Sequence, residues 1–79
     1  MKLPRNTSAK DLIKATEKLG YRITRQTGSH IRLTTTEKGQ HHITVPNHDP
    51  IKIGTLSGII SDIAIHFQST KENIIEKIF

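Results

Sequence analysis

The sequence contains no cysteine and no tryptophan, one tyrosine, two phenylalanines and seven acidic residues. Without cysteine there is neither a disulfide to staple the chain nor a thiolate to hold a metal, and a reducing compartment fits without being required. Acidic residues are also too scattered to give the paired carboxylates of general acid and base work. No apolar run approaches the roughly 20 residues that cross a bilayer, and the polar start MKLPRNTSAKD has no signal-peptide h-region. These absences predict a soluble, cytoplasmic protein that does not engage a membrane.

What is present fits one small domain over residues 1–79, near the lower size limit for folding without staples. Leu, Ile, Val and Phe make up just over a quarter of the chain, and thirteen of them are Ile. That is enough for a globular core. The net charge of +5 is unevenly spread: residues 1–55 hold ten Lys and Arg against four acids, and residues 56–79 hold two against three. A basic front on so small a body points to a polyanionic partner, with nucleic acid foremost. The plainer explanation is a charged surface that keeps the protein soluble.

Hydrophobic spacing sets out the elements. Ser8 is a cap with Asp11 three residues on, Leu12, Ala15, Thr16 and Leu19 share a helical face, and Gly20 ends the helix. Three runs with strand alternation follow. Tyr21 and Ile23 alternate with Arg22 and Thr24, Ile31 and Leu33 with His30, Arg32 and Thr34, and Ile43 and Val45 with His42 and Thr44. Their links, TGS at 27–29 and EKGQ at 37–40, are short and contain glycine, as hairpin loops require. After the loop NHDPIKIG, Thr55 is the expected cap of a longer helix with Leu56, Ile59, Ile60, Ile63, Ala64 and Phe67 on one face. Ser69 and Glu72 then open a short third helix carrying Ile74, Ile75 and Ile78. The order predicts an α+β domain with a three-stranded antiparallel sheet and helices on one sheet face.

Strand parity sorts the side chains. If Ile23, Ile31, Leu33, Ile43 and Val45 face the helices, then Arg22, His30, Arg32, His42 and Thr44 share the opposite face, and no carboxylate lies among them. Such a face suits phosphate contacts. It lacks the aromatics of a base-stacking platform, because Tyr21 has the buried parity. His41 and His42 are adjacent and diverge, and a zinc site built from His30, His42 and His48 would have only Asp49 nearby to complete it, so no metal is expected. Ser29 beside His30 on an extended strand diverges from it and makes a poor nucleophile pair. Taken singly, Gly28 reads as a turn glycine, Ser29 as a turn hydroxyl, His41 and His42 as exposed strand residues, and His66 as a group near a helix C-terminus.

The motifs GSH at 28–30, VPNH at 45–48 and GTLSGII at 54–60, in this order after an N-terminal helix, resemble the HicA toxins of toxin–antitoxin systems over about residues 8–67. The resemblance implies a small ribonuclease that cleaves messenger RNA and is held inactive by a cognate HicB antitoxin. It also implies a fold similar to double-stranded-RNA-binding domains, α-β-β-β-α. The family's catalytic histidine, the one in the Gly-Ser-His motif, maps onto His30, and the Val-Pro-x-His histidine maps onto His48, a second candidate for the chemistry. Arg22, Gly28, Ser29, Arg32, His42 and Lys52 are the candidate RNA-binding residues.

The chemistry is consistent with that assignment. RNA carries its own nucleophile, the 2′-hydroxyl, so the protein needs a base, charge stabilisation and an acid, and no cofactor. Histidine suits the base because its ordinary pKa of ~6.5 lies near working pH. Arg22, Arg32, Lys38 and Lys52 are available to neutralise the phosphate, and His48, His42 or water to act as acid. Two departures matter: residues 69–79 extend beyond the usual family length, and no lysine cluster opens the long helix, where Thr55, Ser57 and Gly58 stand instead, which weakens a reading as a duplex-RNA-binding module. The alternatives are a non-catalytic double-stranded-RNA-binding module and a small basic protein that holds an acidic partner.

Overall fold

In the computed structural model, which describes residues 3–79, the elements are α1 (Ala9–Thr16), β1 (Arg22–Thr27), β2 (His30–Thr35), β3 (His41–Pro46), α2 (Ile53–His66) and α3 (Lys71–Ile78). Met1 and Lys2 of the polar start lie outside the described residues. The strands form one antiparallel sheet in the order β1-β2-β3, with the helices on one face and the other face open. This is the α+β arrangement expected from the sequence.

The local reasons can be read residue by residue. At the start of α1 the Asp11 backbone N–H donates to Ser8 Oγ at 3.0 Å, and the Ser8 N–H donates to the Asp11 carboxylate at 3.3 Å. A capping box of this kind satisfies two otherwise orphaned donors, and losing the cap costs about 1 kcal/mol. α1 tightens into a 3-10 turn over Glu17–Leu19 and stops at Gly20, whose φ is +84°. A Cβ there would lie 2.8 Å from both Glu37 Cγ and Thr35 Oγ1, so backbone and space both demand glycine. Gly28 and Ser29 close the first hairpin with positive φ at Gly28, as a two-residue II′ loop requires.

One contiguous core fills the space between sheet and helices. Ile31, Leu33, Ile43 and Val45 from the sheet meet Leu12, Leu56, Ile60 and Ile63 from the helices, and Tyr21 is wholly buried among them. Each such side chain contributes about 1.5–3 kcal/mol relative to leaving it in water. Ile74, Ile75 and Ile78 of α3 are buried in the same cluster. The Lys18 ammonium donates to the Ile78 carbonyl at 3.0 Å, and the Lys71 ammonium bonds Ser57 Oγ. Residues 71–78 therefore complete the core.

Several expectations need correction. Ile23 is not in the core: it is 51% exposed, and every residue of β1 is exposed. α1 and α2 rest on β3, and among the described residues no helix covers β1 to a comparable extent. α2 begins at Ile53 with Lys52 at the N-cap and no capping side chain, so Thr55 lies inside the first turn. Buried Ile51, whose N–H donates to the Thr7 carbonyl at 2.8 Å, anchors the entering chain early enough for this. The cap of α3 is Thr70, which accepts from the Asn73 N–H at 3.1 Å, and not Ser69. None of the described helices is long and apolar enough to cross a membrane.

Candidate functional site

The open face of the sheet is laid out in rows by the strand register. Arg22, Thr34 and His42 make one row, Arg25, Arg32 and Thr44 the next, and Thr27, His30 and Pro46 the last. Successive rows stand roughly 7 Å apart, two strand residues each. Arg25, Thr27, His30, Arg32 and Thr44 line a shallow depression of about 190 Å³, and no acidic side chain is among them. Larger depressions of about 490 and 610 Å³ lie elsewhere and do not include His30.

Arg25 reaches this row through an irregularity. The ladder pairs Ile23 with Leu33, but Arg25 rather than Thr24 with Arg32. Thr24 is thus an extra residue, a β-bulge that inverts the parity of everything after it. Arg25 and Thr27 turn to the open face and Gln26 to the helix side. The Thr24 and Thr34 hydroxyls are 2.8 Å apart, and Thr34 Oγ1 bonds His42 Nδ1 at 2.7 Å, a short chain that pins the bulge.

The predicted site residues fall into three groups. His30 and Arg32 line the depression, and Gly28 and Ser29 form the turn that delivers His30 to it. Arg22 and His42 share the open face two rows from His30, and His42 is engaged by Thr34. His48 and Lys52 do not line the depression. His48 lies in the exposed loop after β3, and that loop is stitched to the hairpin turn by the Asn47 N–H donating to the Ser29 carbonyl at 2.6 Å. The His48 carbonyl accepts from the Ala9 N–H at 3.0 Å, which ties the same loop to α1. Lys52 lines a separate hollow with Arg5 and Pro50.

Sequence reasoning missed Arg25 and Thr27. Hydrophobic alternation fixes parity only while it lasts, and in β1 it stops at Ile23, so nothing downstream marks the inversion.

His41 also departs from expectation, being half-buried on the helix side. Its Nδ1 bonds the Tyr21 hydroxyl at 2.7 Å, and its ring stacks on His66 with centroids 4.4 Å apart. His66 Nε2–H donates to the Glu37 carbonyl at 2.8 Å. Burial, reinforced by His66 and to a lesser degree His42, pushes the His41 pKa below its ordinary value, while Asp62 works against the shift. Burial, with Asp62 adding to it, pushes the Tyr21 hydroxyl well above its usual range. This is a structural histidine pair. Among the described residues no three His, Asp or Glu side chains are grouped to hold a metal ion.

Residues 9–65 match the family model described as the HicA toxin of bacterial toxin-antitoxin systems. No curated protein and no solved structure matches the chain significantly.

Proposed function

Given that the chain belongs to the HicA toxin family of bacterial toxin–antitoxin systems, we propose that it is a metal-independent endoribonuclease acting on messenger RNA in the cytoplasm. A cognate HicB-like antitoxin silences it. The observation that carries this reading is His30 beside Arg32 in a depression without carboxylates. An imidazole next to fixed cations is what an RNA substrate, which brings its own nucleophile, needs from a protein.

In this reading the neutral His30 ring takes the proton of the 2′-hydroxyl. The O2′ attacks the adjacent phosphorus, and the P–O5′ bond breaks to leave a 2′,3′-cyclic phosphate. Arg32 offsets the charge that gathers on the non-bridging oxygens. His48 returns a proton to the departing 5′ oxygen. Support for its role is the backbone bond that ties its loop to the turn beside His30. Arg22 holds flanking phosphates on the same face. An open basic face also suits an antitoxin that covers it with acidic groups.

The test is cleavage of RNA by wild type and His30→Ala in excess EDTA. Wild type should cleave fully, and the variant should lose a factor of about 10²–10⁴ while keeping its RNA affinity. Loss of wild-type cleavage in EDTA, restored by Mg²⁺ or Zn²⁺, would overturn the metal-independent mechanism. RNA binding with no His30-dependent cleavage would point instead to a non-catalytic binding module. Absence of RNA binding at low salt would leave only a protein partner.

A further inference from the structure

The bulge in β1 carries two local costs. It leaves Thr24 outside the regular ladder, and it sets Arg25 directly across from Arg32, where like charges repel. No acidic side chain lines the depression to compensate. An unbulged strand would have turned Arg25 to the helix side, over uncovered β1, and avoided both costs. A feature that costs stability twice at one point of a sheet, beside His30, calls for an anion to complete it.

We propose that the bulge builds a two-guanidinium clamp for a phosphodiester, with Arg25 as a phosphate-binding residue that works together with Arg32. The inference rests on the ribonuclease reading above for the identity of the ligand and deepens it. Each guanidinium presents its N–H donors as a flat fork that matches two oxygens of one phosphate. Two forks on neighbouring strands grip the group from different sides, next to His30 and the Thr27 and Thr44 hydroxyls. The phosphate relieves the Arg25–Arg32 repulsion, and the repulsion in turn disfavours the empty site. The Thr24–Thr34–His42 chain holds the bulge in place, which gives His42 a role away from the substrate.

The experiment compares Arg25→Gln, Arg22→Gln and Arg25→Lys for RNA cleavage. Alongside, inorganic phosphate at fixed ionic strength is titrated against the arginine Nε–H signals of wild type by NMR. Arg25→Gln should lower kcat by about 10–10²-fold, whereas Arg22→Gln, which removes the same charge from the same face, should act chiefly through KM. Arg25→Lys, which keeps charge and loses the fork, should fall between wild type and Arg25→Gln.

Phosphate should shift the Arg25 and Arg32 signals and leave that of Arg22 in place. Equal effects of Arg25→Gln and Arg22→Gln would overturn the clamp. Wild type that shows the phosphate shifts without cleaving RNA would sink the ribonuclease reading and leave the clamp standing.

Discussion

On the covered face of the sheet the His41 ring is stacked on His66 and hydrogen-bonded to Tyr21. On the open face the His30 ring stands beside Arg25 and Arg32 in a shallow depression, and the bonds that engage His41, His42 and His66 have no counterpart at His30 among the described residues. The covered histidine commits its Nδ1 to Tyr21 and its ring face to His66, and burial pushes its pKa below the ordinary value. The open one has kept its capacity for a ligand. Residue type alone does not separate the two, and strand parity does.

The widest expected separation is in activity. His41→Ala should leave cleavage within about threefold of wild type, measured at a temperature where both variants are folded, against the 10²–10⁴ expected at His30. Comparable losses at both positions would erase the distinction.

Stability should show the reverse order. Leu33→Ala on the covered face should cost about 2–5 kcal/mol in urea unfolding. Arg32→Ala, its open-face neighbour, should stay within about 0.5 kcal/mol of wild type. Smaller again are the two turn glycines. Both require positive φ, so Gly28→Ala should cost about 1 kcal/mol, while Gly20→Ala should cost more because its methyl group meets Thr35 and Glu37.

The smallest effect concerns pH. The folded-state pKa of His41 is lowered, so its contribution is fully present above the unfolded value of ~6.5 and is lost as pH falls through the folded value. The melting temperature should therefore decline below about pH 6.5, and His41→Asn should flatten that decline. A slope that survives the substitution would place the sensitivity elsewhere.

Much of this was legible in the sequence for definite reasons. Ser8 and Asp11 announced α1 because a capping box is a local device, complete within four residues. Ile31, Leu33, Ile43 and Val45 gave the parity of β2 and β3, and with it the placement of His30 and Arg32, because their alternation is unbroken. Arg25 stayed hidden because a bulge is an event of the ladder, visible only when the partner strand is present. The start of α2 was misjudged because burial of Ile51, a tertiary contact, outweighed the capping preference of Thr55. Likewise His41 looked exposed because the shelter over it comes from α2, more than twenty residues further along.

The burial of α3 has a consequence for the order in which the protein is made. Ile74, Ile75 and Ile78 fill the same core as the sheet, so a nascent chain that has reached Phe67 already carries every residue of the open face on an unfinished interior. Small domains of this kind fold as units once their core is complete. The ribosome thus emits the chemical groups first and the condition for their alignment last. That interval is one in which a newly made chain and any waiting partner can meet before the site has taken its final shape.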